Sequence, residues 1–470
     1  MNKNNFALRS LRLCEKIKIM IMKKILPLVC SLLVFVVSAQ EIPTLETYTL
    51  KNGLKIHLMQ YGKIQAVNVR FVINTGRKNE IPGQQGYSEI TASMLLRGNT
   101  KYTEEVQSDM AFKLGGELSA NSGYDYTNIN ANFLAKNFDA GMDLFSSAIL
   151  HPLFNKDKLD QEIAYLVDYN TPAKMDITTL ADVFSRLSVY GTANPLGRYY
   201  YKKQLQEITP AKLKEFHDFN FTPKNAAVIV CGNFNAAEIK AIIEKYFGSW
   251  QSTYGEVNGV ALETPSIKKK EIAFINRSNA TQCALQWDKI APGNKDKDYM
   301  AFRVANSIFG RLLFSEIREK GGKTYSIQSN HQAAQFSNLF LVFCSVRNEE
   351  MLNTINLFDK TLKDFNVATI TQEDFDKAVI GMKIGIMISE LPADVLAFYN
   401  PVMYDFNKRK NFLNDLAALK IEDVQKVIKK YYTPDVYKLV VAGDETVVGT
   451  QLNSIKGLVK YKAEDIQKDN

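Results

Sequence analysis

The chain carries one pattern twice. "ITPAKLKEFHDFNFTPKNAAVIVCGN" begins at Ile208 and "LKIEDVQKVIKKYYTPDVYKLVVAGD" at Leu419, an offset of 211 held without a gap. Phe216 falls on Val427, Phe221 on Tyr432, Thr222-Pro223 on Thr433-Pro434, and Gly232 on Gly443. Each copy reads as a helix, a Thr-Pro turn that ends it, an apolar strand and a glycine. Duplication explains a shared pattern of this length better than coincidence. At 470 residues the chain also exceeds one ordinary domain. The expected fold is therefore α+β, with two similar domains, each a mainly antiparallel β-sheet packed with α-helices. Their boundary is expected in "STYGEVNGVALETPSIKKK", Ser252 to Lys270, which is polar and rich in turn formers. That gives domains at 40–255 and 271–470, joined by a linker at 256–270.

The local patterns fill in the first domain. "YTLKNGLKIHLMQYG" reads as a hairpin turning at Asn52-Gly53, and "AVNVRFVINTG" as a strand with Val67, Val69, Phe71 and Ile73 alternating. "QGYSEITASMLLRGNTKYT" follows as a helix that enters through Gly86 and stops at Gly98, with Glu89 in its first turns. A further amphipathic helix is expected near Thr103–Leu114, then strands through "GGELSANSGYDYTNINANFLAK". A long helical region is expected from about Lys136 to Tyr169, and a strand at "NAAVIVCGNF".

The N-terminus reads as a secretory leader. "MKKILPLVCSLLVFVVSAQ" starts at Met22, runs apolar from Ile25 to Val37, and offers Val37 and Ala39 to a signal peptidase. The leader is assigned to 1–39, with the residues before Met22 read as an upstream start. A retained anchor and lipidation at Cys30 stay open as alternatives. Seven basic residues and one acid in this leader carry +6 of the net +8, leaving about +2 for the body. That balance gives no electrostatic footprint for nucleic acid. The mature region keeps Cys231, Cys283 and Cys344, an odd number in apolar strand-like runs, which reads as buried free thiols.

The search for chemistry is mostly negative. The four histidines, His57, His151, His217 and His331, are far apart in sequence, so no pair has the i, i+4 spacing that brings two nitrogens to one zinc. There is no nucleophile elbow and no phosphate-binding glycine loop. One cationic constellation remains, "FSEIREKGGKTYSIQS" from Phe314 to Ser329. A helix ends at Gly321-Gly322 and a strand begins at Thr324, so Arg318 and Tyr325 flank one corner. A guanidinium fork and a phenol hydroxyl suit a peptide carbonyl on which negative charge develops. A helix-end arginine beside a packed tyrosine is the plainer alternative.

Taken in order, "YTLKNGLKIHL", "VINTGRKNE", "LLRGNTKYT", "LGGELSANSGYDYT", "LHPLF", "NPLGR", "TPKNAAVIVCGNF" and "IREKGGKTYS" resemble the M16 zinc metallopeptidases, the insulinase, pitrilysin and mitochondrial processing peptidase family. The resemblance covers nearly all of about 45–450. In active members the helix after the first strands carries His-x-x-Glu-His. Aligned through Gly86 and "MLLRGNT", those positions are Glu89, Ala92 and Ser93. A later helix supplies the third metal ligand, a glutamate. Here "LDQEIAYLVDYN" keeps an acid at Glu162, but the ligand position is Tyr169. The resemblance thus implies a degenerate zinc site with no metal or cofactor in this chain and no base at Ala92 to activate water.

It also implies that Arg318 and Tyr325 match the family's substrate-holding pair, although the glycine-rich loop before them is reduced to Gly310 in "IFGRLLF". The expected function is a non-catalytic subunit of a secreted, periplasmic peptidase. A homologous M16 partner would carry the zinc, and a peptide or unfolded polypeptide would be the substrate. The mature chain is expected to have no integral membrane span. The rival is a scaffold or peptide-binding pseudoenzyme with no associated proteolysis.

Overall fold

The structure is a computed structural model describing residues 45–255, 265–293, 296–333, 338–389 and 406–467. The expected leader at 1–39, and 256–264 of the expected linker, lie outside the described residues.

Two six-stranded sheets organise the chain. The first uses β1 (Leu45–Thr49), β2 (Lys55–Gln60), β3 (Ala66–Ile73), β4 (Leu118–Ser122), β5 (Thr127–Leu134) and β6 (Ala226–Gly232), in the order β1-β2-β6-β3-β5-β4. The second uses β7 (Glu271–Asn276), β8 (Gln282–Ile290), β9 (Thr324–Ala333), β10 (Asn338–Arg347), β11 (Lys438–Gly443) and β12 (Leu458–Lys462), in the order β12-β7-β11-β8-β10-β9. Both are mostly antiparallel. The exceptions are β2–β6 in the first sheet and β7–β11 and β7–β12 in the second.

Five positions correspond between the sheets, and the sixth differs. The first sheet is closed at that side by the hairpin strand β1, and the second by the C-terminal strand β12. The hairpin turns where the Asn52-Gly53 signal placed it: Gly53 has φ +97° and donates to the Leu50 carbonyl. Central strands such as β6 are buried along their whole length, which explains the unbroken apolar run AAVIVCG. Cys231, Cys283 and Cys344 are buried and free, and burial raises their thiols to about 11, 12 and 12.

In the first half the helices are α1 (Tyr87–Met94), α2 (Glu104–Lys113), α3 (Phe138–Leu150), α4 (Lys156–Tyr169), α5 (Ile177–Tyr190), α6 (Lys202–Gln206), α7 (Pro210–Asn220) and α8 (Ala236–Phe247). In the second half they are α9 (Tyr299–Leu313), α10 (Met351–Val367), α11 (Gln372–Ser389), α12 (Phe406–Ala418), α13 (Ile421–Tyr431) and α14 (Glu445–Leu452). The helical region expected to run from Lys136 to Tyr169 is two helices. His151 precedes Pro152, which disfavours the helical conformation; His151 sits at φ −134°, and α4 restarts only when Asn155 caps it.

Each half has its own core. In the first half, Val67, Val69 and Phe71 of β3 pack with Phe138, Phe145 and Phe247. In the second half, Trp287, Phe302, Phe309, Phe358 and Tyr432 form an aromatic core. Helix α5 belongs to the first half by sequence but packs on the second sheet, where Leu180, Ala181 and Phe184 meet Ile275, Ala284, Val440 and Ala442. The Ser185 hydroxyl donates to the buried Asp288 carboxylate of β8, and the Lys438 ammonium of β11 donates to the Ser188 carbonyl. Among the described residues, no helix is long and apolar enough to cross a membrane.

Candidate functional site

The corner of the first half is built on α1. The chain enters this helix through Gly86 at φ +91°, a left-handed conformation that strains a residue carrying a Cβ. The free amides at the helix start are held by Glu80, which accepts from Gly86 N at 3.3 Å, Ser88 N at 2.9 Å and Ser88 Oγ at 2.6 Å. Burial raises the Glu80 carboxyl, against those hydrogen bonds and the charge of Arg77.

Glu89 accepts from Tyr200 Oη at 2.6 Å and from Arg77 Nη2 at 3.3 Å. The Arg77 guanidinium lies 4.3 Å from the Tyr200 ring centroid and 5.3 Å from that of Tyr124. Ala92 is buried and offers no proton acceptor. Ser93 Oγ donates 2.6 Å to Glu162 Oε2 from α4.

Arg97 then ties the corner together. Its Nε donates 2.8 Å to Glu162 Oε1, its Nη2 pairs with the same oxygen, and its Nη1 lies 2.5 Å from Glu104 Oε1. Lys158 Nζ completes the chain at 2.6 Å from Glu104 Oε2. Burial pushes the Glu104 carboxyl up, but hydrogen bonds from Lys158 and Arg97 outweigh it and hold the group below its ordinary value. Tyr169 lies outside this network. It is 60% exposed and stacks on Tyr165 with ring centroids 6.1 Å apart.

These residues do not fit a zinc ion. Zinc wants imidazole, thiolate or free carboxylate donors, whereas both acids here are engaged, Glu89 by Arg77 and Glu162 by Arg97. The histidines are elsewhere. His217 Nε2 faces the Ile149 carbonyl at 2.8 Å, and His331 Nε2 faces the Pro292 carbonyl at 2.8 Å. His57 is buried in β2, and burial lowers His57 and His331 to about 4. Among the described residues, no three His, Cys, Asp or Glu side chains group so as to hold a metal ion.

The corner of the second half is different in kind. After α9 the backbone widens into a π-helical stretch, Phe314–Lys320, a conformation that is rare and frequent at functional sites. Ile317 is fully buried and anchors it. Gly322 N donates to the Arg318 carbonyl at 3.0 Å and Lys323 N to the Ile317 carbonyl at 3.1 Å, which turns the chain into β9. Arg318 and Tyr325 are brought together there. The guanidinium lies 5.6 Å from the Tyr325 ring centroid and 4.6 Å from that of Phe314. Tyr325 is 89% exposed. Arg318 is exposed and has no ion pair with any described residue, so its charge is available to a ligand.

Arg77, Glu80, Glu104, Lys158 and Tyr200 carry no local sequence signal for the contacts they make here. One usable signal was the i, i+4 spacing of Ser93 and Arg97, which places both toward one face of α1 and its extension.

The fold and this corner define a class: a duplicated α+β architecture in which, among the described residues, no cluster of His, Cys, Asp or Glu is set to hold a metal ion. Residues 57–176 match the insulinase (peptidase family M16) model, and residues 207–382 match the peptidase M16 inactive domain. The chain belongs to peptidase family M16. It is 24% identical over 405 residues to the uncharacterized zinc protease YmxG of Bacillus subtilis, covering 83% of this chain and 96% of that protein. The fold matches the crystal structure of a peptidase M16 inactive domain from Pseudomonas fluorescens with TM-score 0.76 at 21% identity, over 85% of this chain and 98% of that one. It also matches the periplasmic protease PqqL of Escherichia coli with TM-score 0.72 at 15% identity, over 86% of this chain and 46% of that one.

Proposed function

We propose that this chain is the non-catalytic subunit of a secreted, periplasmic M16-type zinc peptidase. Its partner is a homologous chain that carries the zinc motif, and the substrate is a peptide or unfolded polypeptide. Arg318 and Tyr325 hold the substrate backbone opposite the partner's metal. The guanidinium fork and phenol hydroxyl donate to the peptide carbonyl, and the partner's metal-bound water would do the cutting.

The observation that carries this reading is the exposed Arg318, with no ion pair among the described residues, beside Tyr325 on a π-helical turn; the resemblance, which would put Glu89, Ala92, Ser93 and Tyr169 at the family's metal positions, supports it. The apolar leader pattern and the likeness to a periplasmic protease support the location.

The test is affinity capture of the tagged chain from its native envelope, followed by peptidase assay of the eluate. The reading expects a homologue with His-x-x-Glu-His in the eluate, and chelator-sensitive cleavage that neither chain gives alone. Capture with no associated proteolysis would instead establish the scaffold or peptide-binding alternative.

A further inference from the structure

A cavity of about 740 Å³ lies beside the Arg318 corner, between one face of α9, the π-helical turn and the edge strand β9. Its size is that of a ligand site rather than a packing defect. Arg303, Asn306 and Arg311 reach it from α9, Ser329 from β9, and Phe314 and Glu319 from the turn.

Both arginines are held in place without being neutralised. Arg303 lies 4.7 Å from the Phe412 ring centroid and 5.7 Å from that of Tyr299. Arg311 donates to Ser307 Oγ at 3.3 Å and to the Asp374 carbonyl at 3.1 Å. Neither has a carboxylate partner among the described residues, although ion pairs are plentiful elsewhere on the surface. The wall between them is fixed: Asn306 Nδ2 donates 3.1 Å to the Ser329 carbonyl, and Ser329 Oγ donates 2.5 Å to Asn306 Oδ1. Two positioned guanidinium groups against one acid, Glu319, leave the cavity cationic. Phe314 joins it to the neighbouring corner, since its ring both lines the cavity and lies under Arg318.

We propose that this cavity binds a carboxylate side chain of the same polypeptide whose backbone is held by Arg318 and Tyr325, so that the chain selects acidic segments. The inference rests on the reading of that pair as a peptide-holding element. It adds a preference that the pair alone does not supply, because a backbone carbonyl is common to every residue.

The test is fluorescence anisotropy on the full chain with two labelled peptides of equal length, one containing glutamates and its twin containing glutamines at the same places. The glutamate peptide is expected to bind about tenfold tighter, with the gap closing as salt is raised. Arg303→Gln with Arg311→Gln is expected to bring the glutamate peptide down to its twin. The Arg303→Lys, Arg311→Lys pair retains part of the preference, which separates lost charge from lost folding. Equal binding of the twins to the unaltered chain, or a preference that survives the double glutamine change, overturns the proposal. Arg318→Ala is read in parallel. If it weakens both peptides alike, the holding role stands on its own. If the glutamate preference persists without any dependence on Arg318, the cavity stands and the holding role falls. If neither peptide binds, both fall.

Discussion

The two halves share an architecture and treat their cationic side chains in opposite ways. In the first half, Arg97 lies between Glu162 and Glu104, with Lys158 on the far side of Glu104; every charge in the group has an opposite. In the second half, Arg318 stands exposed over two rings with no ion pair among the described residues. A charge already matched by its neighbours contributes to the fold, and an exposed unmatched one is available to something outside it. The difference sets a corner whose charges are matched among themselves against one whose arginine is not.

Restoring the metal set should erase that difference most strongly. A chain carrying Glu89→His, Ser93→His and Tyr169→Glu is expected to bind zinc on the order of 10³-fold tighter than the unaltered chain, read by calorimetric titration. Equal affinity would show that the alignment of these positions with the family's ligands is wrong. Next in size is Arg97→Ala. It leaves Glu162, whose side chain is 10% exposed, with Ser93 as its remaining hydrogen-bond partner in the network. A loss of about 2 kcal/mol in urea unfolding is expected; no loss would mean that the network is not structural.

Asp288 tests the contact between the halves. It is fully buried against α5, with Ser185, Asp182 and Arg186 of that helix and Gln286 of its own strand acting on it. Burial raises its carboxyl to about 7, above the ordinary value of the unfolded chain. The sign follows. Its contribution to stability is fullest below the ordinary aspartate range, near about pH 4, and is lost as pH rises through about 7. Asp288→Asn should therefore raise the Tm at pH 8 more than at pH 5, and a gain independent of pH would contradict this.

The smallest effect is at Tyr432. Its ring packs among Phe302, Phe309, Phe340 and Phe365, and its buried hydroxyl has no hydrogen-bond partner among the described residues. The first half has Phe221 at the matching position of the repeat. Tyr432→Phe is expected to be neutral or to stabilise by less than about 1 kcal/mol in chemical unfolding.

The repeat made the duplication legible because it lies in α7–β6 and α13–β11, where helix, turn and strand are contiguous. The offset is not uniform elsewhere. Val72 pairs with Ala227 and Asp288 with Lys438, so β3 and β8 correspond at 288 − 72 = 216 while β6 and β11 correspond at 438 − 227 = 211. A gapless comparison does not span that slippage, and nothing local marks β1 and β12 as different closures of the two sheets. Only the resemblance points to Glu89, Ala92, Ser93 and Tyr169 as the family's metal positions. The charge network at that corner is not legible in the sequence, because Arg97 and Glu162 are 65 residues apart and meet only through the packing of α4 on α1. The same holds for Ser185 and Asp288, which lie 103 residues apart. In the sequence the π-helical turn is indistinguishable from an ordinary helix end, since one widened turn leaves no periodic signature.

The central claim is that this chain contributes substrate-holding groups to chemistry carried by a partner. The direct measurement is kcat/KM of the complex reconstituted with the zinc-bearing homologue, comparing the unaltered chain, Arg318→Ala, Tyr325→Phe and Ser93→Ala. The account predicts a fall of about 10²-fold for Arg318→Ala, a smaller fall for Tyr325→Phe, and no change in turnover for Ser93→Ala. Undiminished turnover with both Arg318→Ala and Tyr325→Phe would contradict it.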